Sequence, residues 1–176
     1  MLEISRPQDL PADFAETAVA IGKFDGVHLG HQQLLHELVE LSEVGGLAAT
    51  VFTFDRNPRS FLNPTAEFKS LIGPTQKSRL LESRGVDLVL TATFDEAMAA
   101  LSPEQFVSQY LVPLRARVVL VGEGFRFGSG GSGTIADLRE LGSKLGFAAR
   151  EASNVMMGGQ KISSTAVREL LDSGEV

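Results

Sequence analysis

Residues 18–43 read AVAIGKFDGVHLGHQQLLHELVELSE, an apolar run, a glycine-containing turn and an amphipathic stretch in direct succession. Ala18 to Phe24 has the length and continuous apolarity of a buried strand and stops at turn chemistry. From His31 to Glu43 the period changes to that of a helix. Leu34, Leu38 and Leu41 share one stripe, Glu37, Glu40 and Glu43 fall elsewhere, and Gly45-Gly46 offers the stop.

The same alternation continues outward. Leu47 to Phe54 (LAATVFTF) reads as a second buried strand, followed by an irregular stretch from Asp55 to Gly73 that contains Pro58 and Pro64. A helix is expected over Thr75–Ser83 and a third strand over Val86–Thr91. Ser102-Pro103-Glu104-Gln105 has the order of a capping box with proline at the first helical position, opening a helix to about Val112. Arg117 to Gly122 is a fourth strand, and a glycine-rich loop follows to Gly133. Thr134 caps a helix over Ile135–Leu145, a short strand lies near Phe147–Glu151, and a last helix spans Ser163–Asp172. Strands apolar throughout and separated by helices imply an α/β fold, a parallel sheet with helices on both faces. Ligands of such sheets sit at the carboxyl ends of the strands, where the strand order switches.

The 176 residues carry a formal net charge of −6, which argues against a broad nucleic-acid footprint. Any anionic ligand must be held by local devices. The 43% hydrophobic and 22% charged fractions suit a soluble globular protein, and no apolar run approaches the roughly 18–20 residues of a membrane span. Cysteine is absent, so disulfides and thiolate zinc sites are excluded and a cytoplasmic location is expected.

One such local device is Gly22-Lys23-Phe24-Asp25-Gly26-Val27-His28-Leu29-Gly30-His31. It joins the first strand to the first helix, whose opening directs free N–H groups and a positive dipole end into the turn. His28 and His31, three apart, can present both imidazoles to one side and suit the charge of a phosphoryl group under attack. His36, further along, is expected at the surface. The sequence has no histidine outside this helix region and no cysteine, which argues against zinc. A second device is Lys161-Ile162-Ser163-Ser164-Thr165-Ala166-Val167-Arg168. One helix cap needs one hydroxyl; this helix start has three, with a cation on either side to grip phosphate oxygens. Two such openings could jointly hold a triphosphate. Neither contains the GxxxxGK[ST] of a kinase-type P-loop.

These residues resemble the adenylyltransferase module of the bacterial bifunctional riboflavin kinase/FAD synthetases, over essentially the whole chain. GKFDGVHLGHQ resembles that family's first motif, a form of the HxGH signature of the wider nucleotidyltransferases. ISSTAVREL resembles its final motif, and VGEGFRFG is the intermediate feature that favours a flavin acceptor. The resemblance implies a Rossmann-like nucleotidyltransferase fold and transfer of AMP from ATP, with Mg²⁺, onto FMN. It implies that His28 and His31 contact the ATP phosphates and the transition state. Gly22, Phe24, Asp25 and Gly26 would line the nucleotide pocket, and Lys161, Ser163, Ser164, Thr165 and Arg168 would hold the triphosphate. Arg168 joins the two histidines as a catalytic group. Asp55, Asn57 and Pro58 of the Asp55–Arg59 loop, with Gly124, Phe125, Arg126, Phe127 and Gly128, would shape the flavin side. The metal's protein ligands are left unassigned. Two departures lie on that side: Phe54-Asp55-Arg56-Asn57-Pro58 stands where the family usually has FDPHP, and Gly124 where it commonly has asparagine or aspartate. The chain is expected to be one nucleotidyltransferase domain over residues 1–176. The family's riboflavin kinase domain is absent from these residues; either it belongs to a longer chain or the protein lacks kinase activity, and none is expected from these residues.

Alternatives remain at this point. The acceptor could be another phosphorylated small molecule, with ATP or CTP as donor, or the chain could be a flavin- or nucleotide-binding module without catalysis. Gly128-Ser129-Gly130-Gly131-Ser132-Gly133 matches GxGxxG before a helix, with Glu151 at a suitable distance for a ribose contact. A dinucleotide fingerprint begins where its strand ends, however, and here Phe125-Arg126-Phe127 intervene after Gly122. The bland reading of this loop is a solvated, flexible lid. Phe125 and Phe127 either stack on a flavin ring or anchor the loop to the core.

Overall fold

The computed structural model describes residues 1–62, 70–152, 156–157 and 160–174. Its main sheet comprises β1 (Leu2–Ile4), β2 (Thr17–Ile21), β3 (Ala48–Phe54), β4 (Leu88–Ala92), β5 (Ala116–Gly122) and β6 (Ala148–Ala152). The spatial order is β1-β4-β3-β2-β5-β6, and every neighbouring pair is parallel. From β2 the chain builds outward through β3 and β4, then returns to place β5 on the other flank of β2. The order therefore switches at β2, and the crevice of such a sheet opens at that strand's carboxyl end. Gly22 to His31 begins there.

The alternation within β2 accounts for the layering. Val19 and Ile21 point into one apolar cluster with Phe52, Leu90, Val119 and Leu138; Ala18 and Ala20 point into the other with Leu34, Leu35, Leu38 and Val51. Both faces are buried, as the unbroken apolar runs required. Alanines on the second face, joined by Ala49 of β3, let α1 (Leu29–Gly45) lie close to the sheet. On the first face pack Met98 of α4 (Glu96–Ala99), Phe106 of α5 (Pro103–Phe106) and Leu138 of α6 (Ile135–Leu145). Gly46 closes α1 in the left-handed conformation, φ 61°, as the double glycine suggested.

Several elements differ from expectation. β1 is a three-residue strand beside β4, too short to leave a periodic signal. The stretch expected to be irregular contains α2 (Pro58–Leu62); Pro64 lies outside the described residues. α3 (Pro74–Glu82) starts at Pro74, one residue before the expected Thr75, and ends at Glu82 with Ser83 as its cap. The expected helix to Val112 is α5 followed by a π-helical turn over Val107–Leu111, where the chain bulges to bury Val107 and Leu111. A two-stranded antiparallel hairpin, β7 (Met156–Met157) and β8 (Gln160–Lys161), precedes α7 (Ser164–Ser173).

Candidate active site

The turn after β2 is held in a conformation few residues adopt. Phe24, Gly26 and Val27 have φ of 50°, 78° and 41°. For β-branched Val27 this costs about 1–3 kcal/mol and persists only where packing enforces it. Phe24 and Val27 are buried in the α1 face of the core, and Gln32 donates its amide to the Val27 carbonyl at 3.0 Å. Gly26 cannot be replaced freely: a Cβ there would lie 2.8 Å from Leu71 Cδ1.

This turn delivers the histidines. α1 begins at Leu29, two residues before the expected His31, so His28 is its N-cap. The Nδ1 of His28 accepts the His31 backbone N–H at 3.3 Å, which places that ring's proton on Nε2. The two rings stack with centroids 3.7 Å apart and planes 22° apart, and Phe24 backs His31 at 5.1 Å. The Nδ1 of His31 is buried with no hydrogen-bond partner among the described residues, leaving Nε2 as the nitrogen able to meet a ligand. Burial, followed by the charges of His28 and Lys77, pushes the His31 pKa down to about 3. Burial also lowers that of His28. Near neutral pH the pair is uncharged: two neutral donors. His36 is exposed, 3.5 Å from Glu40, as expected.

The second opening meets the first through Asp25. Arg168 Nη2 donates to Asp25 Oδ2, and both side chains are mostly buried, 16% and 14% exposed. Ser164 Oγ donates to the Asp25 carbonyl at 2.8 Å, and Arg168 Nη1 to the Ser164 carbonyl at 3.1 Å. Ser163 caps α7 by accepting the Ala166 N–H at 3.2 Å; Thr165 is exposed. A Cβ on Gly30 would sit 3.6 Å from the Ile162 carbonyl, so the mouths of α1 and α7 lie side by side. Neither helix carries an acidic residue in its first turn. The Lys161 side chain lies outside the described part of the structure. Asp25 also accepts the Leu71 N–H at 2.8 Å and the Ser70 hydroxyl at 3.2 Å. One aspartate thus ties the β2–α1 turn, α7 and the segment before α3. Sequence reasoning placed Asp25 at the pocket only by resemblance and missed this linking role.

Beside Asp25 opens a cavity of about 300 Å³ whose walls include Lys23, Phe54, Asp55, Asn57 and Lys77. Asp55 and Asn57 therefore belong to it. Pro58, Gly124, Phe125, Arg126, Phe127 and Gly128 are not among its described walls. Asp55 accepts the Phe94 N–H at 3.0 Å, and the Asn57 carbonyl starts α2 by accepting from Ser60 at 3.0 Å. Pro58 is the first residue of α2. Lys77 went unnoticed in the sequence, although a cation in the first turn of a helix opposes its dipole and was the available signal.

The stretch after β5, expected by resemblance to shape the flavin side, is held by contacts with the core. Phe127 is only 6% exposed and packs 5.6 Å from Phe106 and 5.7 Å from Phe125. Of the two readings left open, Phe127 is the core anchor, and its ring has no free face for a flavin; Phe125 packs partly against the same core. Gly124 has φ 74° with open space around it and donates to Glu151 Oε1 at 3.0 Å. Left-handed backbone is tolerated by glycine, asparagine and aspartate alike, which accounts for that departure. Arg126 is exposed. Phe127 pairs with Gly133 across the loop, and the Ser129 N–H donates to the Leu101 carbonyl at 2.6 Å, two ties that the expectation of a solvated, flexible lid did not include. Five residues separate the end of β5 from Gly128, so the GxGxxG match starts no dinucleotide turn.

A parallel sheet with helices on both faces and two helix openings at its switch point defines the Rossmann-like nucleotidyltransferase fold. Consistent with this, the solved Pantoate-beta-alanine Ligase from Francisella tularensis superposes with a TM-score of 0.58 at 14% identity, covering 100% of this chain and 78% of that one. A Macrolide-efflux Protein from Streptococcus pneumoniae superposes at 0.85 with 26% identity, covering 96% and 56%. The chain belongs to the FAD synthetase family, whose sequence model matches residues 10–166. It is 35% identical over 159 residues to the Bifunctional riboflavin kinase/FMN adenylyltransferase of Buchnera aphidicola (89% of this chain, 51% of the relative). It is 38% identical over 154 residues to that of Escherichia coli (87% and 49%). The chain spans about half the length of the curated relatives it matches. Among the described residues no helix is long and apolar enough to cross a membrane, and no group of three histidine or carboxylate side chains could hold a metal ion.

Proposed function

We propose that this chain transfers AMP from ATP to FMN, giving FAD and pyrophosphate. The observation that carries the reading is the meeting of the α1 and α7 openings at Asp25, beside a cavity on the β3 side, in a chain of the FAD synthetase family. The triphosphate lies across both openings, over backbone N–H groups and the side chains of Ser163, Ser164, Thr165, Lys161 and Arg168. Gly22, Phe24 and Gly26 shape the nucleotide side. The flavin occupies the cavity walled by Asp55 and Asn57.

The reaction is a single in-line displacement. An oxygen of the FMN phosphate attacks the α-phosphorus of ATP, the bond to the bridging oxygen breaks, and pyrophosphate leaves with both electrons. The attacking phosphate is already ionised near neutral pH, so no general base is required. His28 and His31, neutral and fixed by their mutual stacking, donate to the α-phosphoryl oxygens as charge gathers there. Arg168 leaves part of its contact with Asp25 to face the leaving phosphates. Mg²⁺ would be held by the substrate phosphates and water, in keeping with the sparse protein donor set, and would neutralise phosphate charge. Cytoplasmic ATP and FMN would supply the reaction. The riboflavin kinase half of the relatives' name is not assigned to these residues.

A second reading, a different phosphorylated acceptor, draws on Arg56 and Asn57 in the cavity wall, where the resemblance expected proline and histidine. Incubation with FMN, ATP and Mg²⁺, followed by chromatography, decides. FAD and pyrophosphate in equal amounts support the proposal. Pyrophosphate with another acceptor but not FMN favours the second reading, and binding of ATP or FMN without pyrophosphate favours a non-catalytic module.

A further inference from the structure

Lys77 stands in the first turn of α3, where the helix dipole repels a cation, and is partly buried in the wall of the 300 Å³ cavity. Burial lowers its pKa against the opposing pull of Asp25 and Asp55. Ammonium groups removed from water are normally paired. This one forms no ion pair among the described residues, and its hydrogen bond there is a long one, 3.4 Å to the Thr53 hydroxyl. Thr53 in turn donates to the Lys23 carbonyl at 3.0 Å, so it offers Lys77 an anchor rather than a counter-charge. The two carboxylates on the cavity wall are engaged elsewhere, Asp25 with Arg168 and Leu71, Asp55 with Phe94 and Arg56.

The location narrows the missing anion. Asp25 borders both parts of the site: its carbonyl accepts from Ser164 at the start of α7, and it lines the cavity together with Asp55, Asn57 and Lys77. Lys77 is near enough for its charge to be felt by His31. An anion held by Lys77 therefore sits between the acceptor cavity and the histidine that faces the donor.

Resting on the reading of AMP transfer to FMN, we infer that Lys77 holds the phosphate monoester of the acceptor and presents its attacking oxygen to the α-phosphorus. The contact makes acceptor recognition depend on the phosphate: FMN is bound, while riboflavin lacks the anion that Lys77 requires. It also offsets the repulsion between the incoming monoester and the triphosphate.

The test compares flavin titrations with FMN and with riboflavin, followed by fluorescence, alongside ATP calorimetry. Lys77→Gln is expected to weaken FMN roughly 10- to 100-fold, the range of one lost charge-assisted contact, while riboflavin stays within about twofold and ATP within about threefold. Lys77→Arg, which keeps the charge, restores part of the preference for FMN. Equal weakening of both flavins would make the residue structural, and loss of ATP affinity with FMN unchanged would assign it to the donor; either overturns the inference, as does no change at all. If Lys77→Gln does not fold, inorganic phosphate serves as probe on the wild type. Competition against FMN but not riboflavin supports the inference, and competition against neither overturns it. Wild-type protein that makes no FAD removes the parent reading before any variant is compared. FAD formation together with an adverse titration removes the Lys77 assignment alone.

Discussion

Two glycine-rich connections leave the same sheet and enter a helix, one after β2 and one after β5, and they have opposite characters. The loop from Gly122 to Thr134 satisfies itself. Phe127 is buried against Phe106, Gly133 pairs with it, and Glu151 takes the Gly124 N–H. Thr134 and Asp137 close the opening of α6 with a full capping box, which places a carboxylate where an anion would have to sit. The turn from Gly22 to His31 stays incomplete. Its cap is one histidine of a stacked pair, a buried ring nitrogen lacks a described partner, and no carboxylate guards the first turn of α1. Glycine content is common to both loops; a buried ring nitrogen of His31 without a hydrogen-bond partner among the described residues distinguishes the proposed site.

The contrast is broken most strongly at the histidines. His31→Ala and His28→Ala should each lower the rate of FAD formation roughly a hundred- to a thousandfold, with circular dichroism unchanged, as expected for losing one aimed donor. Near-normal turnover in both variants would show the assigned chemistry to be wrong. Asp25→Asn leaves Arg168 in a mostly buried position without its counter-charge and should cost about 3 kcal/mol in urea unfolding. A loss below about 1 kcal/mol would mean that the pair is solvated in solution.

Much of this was legible in the residues. The strands of the sheet's centre announced themselves as apolar runs because both faces are covered, and the capping box at Ser102 and the cap at Thr134 fall where their side chains predicted. β1 was not legible: three residues paired with β4 carry no period. The two helix openings stood out because histidines and hydroxyls clustered beyond what caps require. Lys77 and the linking role of Asp25 did not, since each acts across elements distant in sequence and only the strand order brings them together. Phe127 could not be assigned because an aromatic beside a loop serves a core or a ligand equally well, and its partner Phe106 lies on α5, distant in sequence.

Smaller effects sharpen the comparison. Gly133→Ala sets a Cβ 2.8 Å from the Phe127 ring and should lose about 2 kcal/mol of stability, while the folded fraction keeps normal turnover. Reduced turnover per folded molecule would bring this loop into the site. Acid should also distinguish the loops, because a neutral His31 is built into the fold. Its folded pKa lies near 3 against about 6.5 unfolded, so the unfolded chain binds the extra proton between those values. The contribution is fully present above pH 6.5 and is lost as pH falls towards 3, by at most about 1.4 kcal/mol per unit. In a series of urea melts, His31→Ala should flatten that slope; an unchanged slope would show that the ring is solvated.

The proposed transfer requires α1 and α7 to share one polyphosphate, and nuclear relaxation by paramagnetic Mn²⁺·ATP reads this directly. A single bound nucleotide should broaden the amide signals of Gly30 and His31 together with those of Ser164 and Thr165, and leave those of Ser129 to Gly133 sharp. Broadening at only one of the two helix openings, or in the β5–α6 loop instead, would contradict it.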